Sequence, residues 1–378
     1  MSILFDPMKI GNMALRNRFV RSATYDGYGD SRGHVTEKQV ELLSDLAEGG
    51  VGLIITGIAY VHPSGQRFPV QNTIASDDCI QGFKRLTNAV HDRGAKIAVQ
   101  LYHAGRARAI AFTAEGEEAL APSFVNNDPY FEGGKYRPMT ENEIREIVMA
   151  FGDAARRARE ANFDAVQIHG AHGYLPSQFL SPFTNHRADD WGGPLENRLR
   201  FHYEICREIR EKVGADYPLL IKIGVQDGVP GGLEFKEGKK AAQLLARRGF
   251  DALEISLGLN GEDYENTEFR TRINRPDREA YYRTWTSEIK AAVNVPVMMV
   301  GGLRTFQIME EVVQKNETDF VSLCRPLIRE PRLINDWKSG DLHRATCISC
   351  NKCLEGIKKG GVLNCGQKKL RRETGAYL

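Results

Sequence analysis

Eight short apolar runs rich in β-branched residues alternate with stretches of helical periodicity, and this alternation limits the fold more than any other feature. The runs are Phe19–Ala23, Val51–Thr56, Ala95–Leu101, Asp164–Ile168, Pro218–Gly224, Asp251–Ser256, Val295–Val300 and Asp319–Leu323. Strict strand–helix alternation implies a parallel sheet, and eight strands is the number that closes one into a (β/α)8 TIM barrel. The helix signals agree. Thr36 stands at the start of a helix over 37–48 that Gly49-Gly50 ends, and Thr140-Glu-Asn-Glu143 is a capping box. Behind that box Ile144, Ile147, Val148, Phe151, Ala154, Ala155 and Ala158 form a core-facing stripe. No Gly-x-Gly-x-x-Gly follows any of the runs, so a Rossmann domain has no support. The expected division is a barrel over 1–340 and a short cysteine-rich extension over 341–378, too small and polar for a core of its own. The Gly-, Pro- and Asn-rich excursion at 107–138 is too long to be a simple connection.

Charge and hydropathy narrow the function. Lys and Arg total 51 against 49 acids, so the net charge of +2 gives no case for a nucleic-acid partner. No run reaches the apolar length of a membrane span, and Met1-Ser-Ile-Leu-Phe-Asp6 lacks the layout of a signal peptide. A cytoplasmic protein is expected. Of seven cysteines, four crowd between Cys347 and Cys365. In a cytosolic chain such a cluster reads as metal or redox chemistry rather than disulfides.

Barrel enzymes keep their chemistry at the carboxyl ends of the strands. Polar and glycine residues collect at those ends here: Ala23-Thr-Tyr25, Thr56-Gly57, Gln100 with His103, then His169, His172 and Tyr174 after the fourth run. Lys222, Ser256, Gly301-Gly302 and Cys324-Arg325 complete the set. Three ionisable groups after one strand commonly signal a site, although satisfied loop residues would give the same pattern. Gly301-Gly302 ahead of a helix at Thr305 suits phosphate, because glycines admit the backbone and the first helical N–H groups face an anion. An ordinary tight turn is the alternative. Arg325 sits where the loops after strands seven and eight commonly build a phosphate site.

The run His169-Gly-Ala-His-Gly-Tyr-Leu175, with Gln178-Phe-Leu-Ser-Pro182, Asn185-His-Arg187, Asp190-Trp-Gly-Gly193 and Glu196-Asn-Arg198, resembles the signature of the old yellow enzyme family. The resemblance extends to Asn17-Arg18, Gln100-Leu-Tyr-His-Ala-Gly-Arg106, Ala121-Pro-Ser123 and the Gly301-Gly302 and Cys324-Arg325 sites. It implies FMN on top of the barrel and NADH or NADPH as reductant. By matching position Gln100 would bond the polar edge of the flavin, and Lys222 would stand near its N1 and O2. Ser22, Ala23, Thr24 and Gly57 would line the ring, while Gly301, Gly302, Cys324 and Arg325 would hold the phosphate. His169 and His172 match the pair that grips a substrate oxygen, and Tyr174 the proton donor of a C=C reduction. Two positions depart from the family pattern. Tyr25 stands where Cys or Thr is common, beside flavin and substrate, and Cys324 replaces the glycine before the phosphate arginine.

Cys347-x2-Cys350-x2-Cys353 followed by Cys365 suits a 4Fe–4S cluster, with a zinc site or free thiols as alternatives. The segment resembles that of the dienoyl-CoA reductases and trimethylamine dehydrogenases, in which the cluster exchanges electrons with FMN. An FMN-dependent reductase of an activated C=C bond in an enone, enoate or dienoyl thioester is therefore expected. Its partners would be a small-molecule substrate and an external electron carrier, with self-association into a homo-oligomer. An amine dehydrogenase or demethylase of the same fold is the alternative. From another class, Lys222 at a strand end also suits a Schiff-base aldolase.

Overall fold

A computed structural model describes residues 2–110, 118–126, 128, 134–262, 265–358 and 360–367. Parts of the 107–138 excursion and the end of the cysteine-rich extension lie outside them. The eight strands are β1 (Phe19–Arg21), β2 (Leu53–Tyr60), β3 (Lys96–Tyr102), β4 (Ala165–Gly170), β5 (Leu219–Gly224), β6 (Ala252–Ser256), β7 (Val297–Met299) and β8 (Phe320–Leu323). All pair in parallel in chain order, and β8 pairs with β1 through Val321 and Phe19, which closes the barrel. The expected TIM barrel is the observed fold.

Two concentric cores hold it. Between strands and outer helices lies a large apolar shell, with Ile54, Val99, Ile168, Ile221 and Val321 facing Leu43, Phe83, Phe151, Ile205 and Met309. Inside the barrel Val20, Leu53, Ala98, Ala165, Leu220, Ala252, Met298 and Phe320 form a second cluster. An antiparallel hairpin not foreseen from the sequence, Met8–Ile10 with Met13–Leu15, adds Ile10, Met13 and Leu15 to that cluster and floors the barrel. Side chains alternate along a strand, so the residue two places on points into the same interior. Two residues above Val20, Ala98, Ala165, Leu220, Ala252 and Phe320 stand Ser22, Gln100, Gln167, Lys222, Glu254 and Ser322. An apolar floor therefore carries a polar layer.

The lower rim is tied by a repeated device. Asp164, Asp251 and Asp319 each precede a strand and accept the backbone N–H of Ile97, Leu219 and Val297 on the strand before, at 2.7–2.9 Å. Each also meets a cation: Lys96 with His91, Arg210, and Lys290. Helix ends largely follow the sequence. Glu37–Glu48 is helical as expected, and the Thr140–Glu143 capping box is formed ahead of Glu141–Glu160. Thr36 occupies the N-cap but donates its hydroxyl to Tyr28 O at 2.6 Å instead of capping the helix. The helix ahead of β7 spans Arg283–Lys290, so Glu279 lies before it.

Burial alone would raise the Asp164 carboxyl, but bonds from His91, Lys96 and the Ile97 N–H hold it below the usual aspartate value. Its contribution is thus present above the unfolded-state value and is lost as pH falls through the lowered folded-state value. Asp164→Ala should cost about 2–3 kcal/mol at neutral pH by urea denaturation, with the difference from wild type shrinking in acid.

Candidate functional site

Five of the six residues of the polar layer form one bonded chain, and only the Ser322 hydroxyl stands outside it. Gln100 Nε2 donates to Gln167 Oε1 at 2.7 Å, and Gln167 Nε2 donates to Glu254 Oε2 at 3.0 Å. Lys222 Nζ lies 3.3 Å from the same Glu254 oxygen and donates to Ser22 Oγ at 2.8 Å. All five residues are buried, and Lys222 stands in register with Glu254 on one side and His169 on the other. A buried cation is tolerable only when paired and hydrogen-bonded, and Glu254 meets that need. An amine engaged in this way is no nucleophile, so the Schiff-base alternative loses its residue.

Above the layer opens a cavity of about 660 Å³, within the size range of small-molecule sites. Of the expected cofactor and substrate residues, Ser22, Ala23, Thr24, Tyr25, Gln100, His169, His172, Tyr174, Lys222, Gly302, Cys324 and Arg325 all line it. Gly57 and Gly301 do not. Gly57 backs the wall: a Cβ there would meet Thr24 O at 2.9 Å, so only glycine lets β2 pass so close. Gly301, at φ +131°, lies under the Tyr281 ring. Thr24 Oγ1 and Cys324 Sγ are 3.0 Å apart, joining the walls after β1 and β8.

Glu279 holds the approach to the helix at Phe306–Gln314. Glu279 Oε2 accepts from the Arg304 and Thr305 N–H groups at 2.7 and 2.8 Å, and Glu279 Oε1 accepts the Thr305 hydroxyl at 2.8 Å. A carboxylate of the chain itself thus takes the two N–H groups just ahead of the helix, and of the expected phosphate residues Gly302, Cys324 and Arg325 line the cavity. Arg325 Nη1 donates to Arg270 O and to Asn351 Oδ1, both at 2.7 Å.

One wall carries the proton chemistry. The His169 and His172 rings are 5.0 Å apart, and His169 and Tyr174 are 4.8 Å apart. His172 has φ +60°, a left-handed conformation costing about 1–3 kcal/mol for a residue with a side chain. Its backbone N–H donates to Leu257 O at 3.1 Å, and its Nε2 lies 2.7 Å from Ser256 Oγ. His169 Nδ1 is buried without a partner. Burial, then Lys222, holds both imidazoles well below the usual histidine value, with His172 adding to the effect on His169. Both are neutral at physiological pH.

Sequence reasoning missed four contributors. Gln167 and Glu254 sit inside strands buried on both faces, and Arg67 and Glu268 sit on loops without a motif. A polar residue within each apolar run was the available signal for the first two. Arg67 Nη1 donates to the Tyr174 hydroxyl oxygen at 3.2 Å, and its guanidinium lies 5.4 and 5.6 Å from the Phe68 and Tyr174 ring centroids. Glu268 Oε2 is buried without a partner, and burial pushes that carboxyl up to about 7.

The cysteine segment closes one edge of the cavity through Asn351, Leu354, Glu355 and Ile357. Arg304 fixes it to the barrel, bonding Gly302 O, Cys347 O and Ser349 Oγ. Burial first, then the neighbouring thiols of Cys324, Cys347 and Cys350, pushes the Cys353 thiol up to about 12. Cys347 Sγ is 3.9 Å from Arg304 Nη2, and Cys365 Sγ is 3.7 Å from Arg329 Nη1. Among the described residues no three His, Cys, Asp or Glu side chains are gathered as a metal-holding set.

Comparison with known proteins decides the family. A profile of the NADH:flavin oxidoreductase / NADH oxidase family matches residues 3–342. The chain belongs to that family, the FMN oxidoreductases of the old yellow enzyme type. It is 39% identical to an NADH oxidase of Thermoanaerobacter brockii over 99% of this chain and 57% of the relative. A cinnamate reductase of Clostridium sporogenes is 31% identical over 96% of this chain and 57% of its own length. The solved structure of a 2-naphthoyl-CoA reductase complex superposes with a TM-score of 0.87 at 28% identity, covering 96% of this chain and 56% of that one. The chain thus spans a little over half the length of these family members.

Because both imidazoles are neutral, phenol binding to the FMN-loaded protein should show no histidine inflection between about pH 6 and 9. A spectral titration with p-chlorophenol against pH checks this: beside the phenol's own inflection only Glu268, whose carboxyl in the same cavity is pushed up to about 7, should contribute, and Glu268→Gln should leave the phenol's inflection alone.

Proposed function

We propose that this chain reduces a C=C bond conjugated to a carbonyl, carboxylate or thioester group, using FMN and NADH or NADPH. The observation that carries the reading is one wall bearing two neutral imidazoles and a phenol, set over a cradle whose lysine is paired with Glu254 and bonded to Ser22. When bound, FMN supplies the hydride that adds to the β-carbon as the π bond breaks. His169 and His172 hold the activating oxygen. A neutral imidazole donates one hydrogen bond and withdraws charge without transferring a proton, which suits an enolate-like transition state. His169 Nδ1, buried and unpartnered, is a donor or acceptor site held ready for such a ligand.

Tyr174 delivers the proton to the α-carbon. Its oxygen accepts from Arg67 Nη1, which leaves its own hydrogen free to be donated elsewhere. Gln100 and Lys222 fit the polar edge of the ring. Held by Glu254 and Ser22, Lys222 would supply positive charge to the edge of a bound ring on which reduction adds electrons. Gly302 and Arg325 fit the phosphate.

The amine-dehydrogenase alternative gains from the aromatic walls of Tyr25 and Phe68, stacked at 4.5 Å. It loses more from Arg67, whose guanidinium already lies against Phe68 and Tyr174 and would repel a cationic amine. We read residues 1–340 as the reductase barrel and 341–378 as an extension whose cysteines hold a 4Fe–4S cluster. The spacing of Cys347, Cys350, Cys353 and Cys365 and the arginines beside two of the thiols support that assignment. No catalytic step is derived through the cluster.

Tyr174→Phe should slow reoxidation of the reduced enzyme by 2-cyclohexenone about 10²-fold or more while leaving reduction by NAD(P)H within about twofold. Stopped-flow measurement of the two half-reactions separates them; unchanged reoxidation would move the proton source elsewhere. Anaerobically purified protein should contain iron and acid-labile sulfide near four per chain, and zinc alone would overturn the cluster.

A further inference from the structure

Arg67 lines the cavity wall without an ion pair among the described residues and with little hydrogen bonding of its own, whereas Arg304 and Arg325 of the same cavity are engaged by backbone carbonyls and polar side chains. Arg67 follows β2 in a loop that turns through Pro63–Gly65, and the loop is pinned from inside. The fully buried Gln71 accepts the backbone N–H groups of Arg67 and Phe68 at 2.9 and 3.2 Å. The guanidinium is thereby held against two aromatic rings. Its side chain meets only phenol hydroxyls, Tyr174 at 3.2 Å with Tyr102 alongside; among the described residues it makes no ion pair, and its Nε is buried without a partner. Lys222, a buried cation of the same cavity, has Glu254 beside it. Arg67 has nothing comparable. Glu268 shares the cavity, but with its carboxyl pushed up to about 7 it carries only part of a negative charge near neutrality.

A guanidinium taken largely out of water without an anion is costly, and a bound anion relieves the cost. The position of the charge gives it a use. His172, His169, Tyr174 and Arg67 follow one another along a single wall, the first pair 5.0 Å apart, the second 4.8 Å, the Tyr174 oxygen 3.2 Å from Arg67. An oxygen held by the imidazoles with its α-carbon beside Tyr174 has its geminal substituent directed toward Arg67. In an enone that substituent is carbon, whereas in an unsaturated acid it is a second oxygen carrying charge. A carboxylate is a poor activator because its charge opposes hydride addition next door, and two neutral imidazoles do not offset that charge. A cation does.

We propose that Arg67 is the specificity-determining residue of this site, an anion anchor that lets the enzyme accept α,β-unsaturated carboxylates. This rests on the C=C reductase reading above. Arg67 pairs with the outer carboxylate oxygen while the imidazoles hold the inner one. Hydride adds at the β-carbon, the π electrons move into the carboxylate now held between donors, and the Tyr174 proton goes to the α-carbon. The reduced flavin is thereby oxidised, and NAD(P)H restores it.

The test uses the FMN-loaded full chain and its Arg67→Gln and Arg67→Lys variants. Turnover is measured with cinnamate and with methyl cinnamate, and benzoate and benzamide are titrated against the oxidised flavin spectrum. Arg67→Gln should lower the cinnamate-to-ester ratio of kcat/KM about tenfold or more and weaken benzoate but not benzamide, and Arg67→Lys should recover part of both. Equal loss on acid and ester, with benzoate binding unchanged, would overturn the proposal and leave Arg67 acting only through Tyr174. If the wild type reduces neither substrate, the C=C reading fails, yet the benzoate titration still decides whether Arg67 binds carboxylates.

Discussion

The Lys222–Glu254 ion pair is the interaction on which the interior depends. It sits where a barrel ordinarily packs branched aliphatic side chains, and it survives there because each partner has further bonds: Ser22 on the lysine, Gln167 and through it Gln100 on the carboxylate. Removing either partner would leave a charge without compensation in a medium that cannot solvate it. The pair also separates two environments. Below it the barrel is apolar down to the Ile10, Met13 and Leu15 floor, and above it every neighbouring group is placed for a ligand. The electrostatics of the site are therefore set largely by strand register rather than by loops.

That division explains how much was legible in the sequence. Strand number, order and type followed from the alternation, because a buried parallel strand is an apolar run whatever it faces. The hairpin floor was missed because three-residue strands carry no periodicity. Asp164, Asp251 and Asp319 were read as the starts of strands when they are rim residues tying one strand to the next. In the site, His169, His172, Tyr174, Gln100 and Lys222 were recognisable by resemblance and converge as expected on one cavity. Glu254 and Gln167 were not, since two-faced burial hides which polar residue points inward until register is known. Glu279 shows the converse. A glycine pair before a helix reads as an anion site in any sequence, and only the fold reveals that a carboxylate of the chain takes the Arg304 and Thr305 N–H groups beside it.

The cysteine segment is strapped on by cations. Arg304 reaches it from the β7 side, Arg325 bonds Asn351, and Arg329 lies beside Cys365. Arg344 of the same segment returns to Glu279, the residue that takes the Arg304 and Thr305 N–H groups. The extension and the upper rim of the barrel thus share their charged partners, so the edge of the cavity that the segment forms is held by bonds rather than by an apolar interface.

The hairpin floor has a kinetic meaning as well as a structural one. With the lower end of the barrel stoppered by packed side chains, the cavity has no passage through the barrel floor among the described residues. For the reaction proposed, reductant and acceptor must then visit the same face of the flavin, and neither can leave by a back door while the other waits. Such a vessel works by alternation: one guest donates and departs before the next is admitted. The order of events would be dictated by where the barrel is closed, at the end opposite the chemistry.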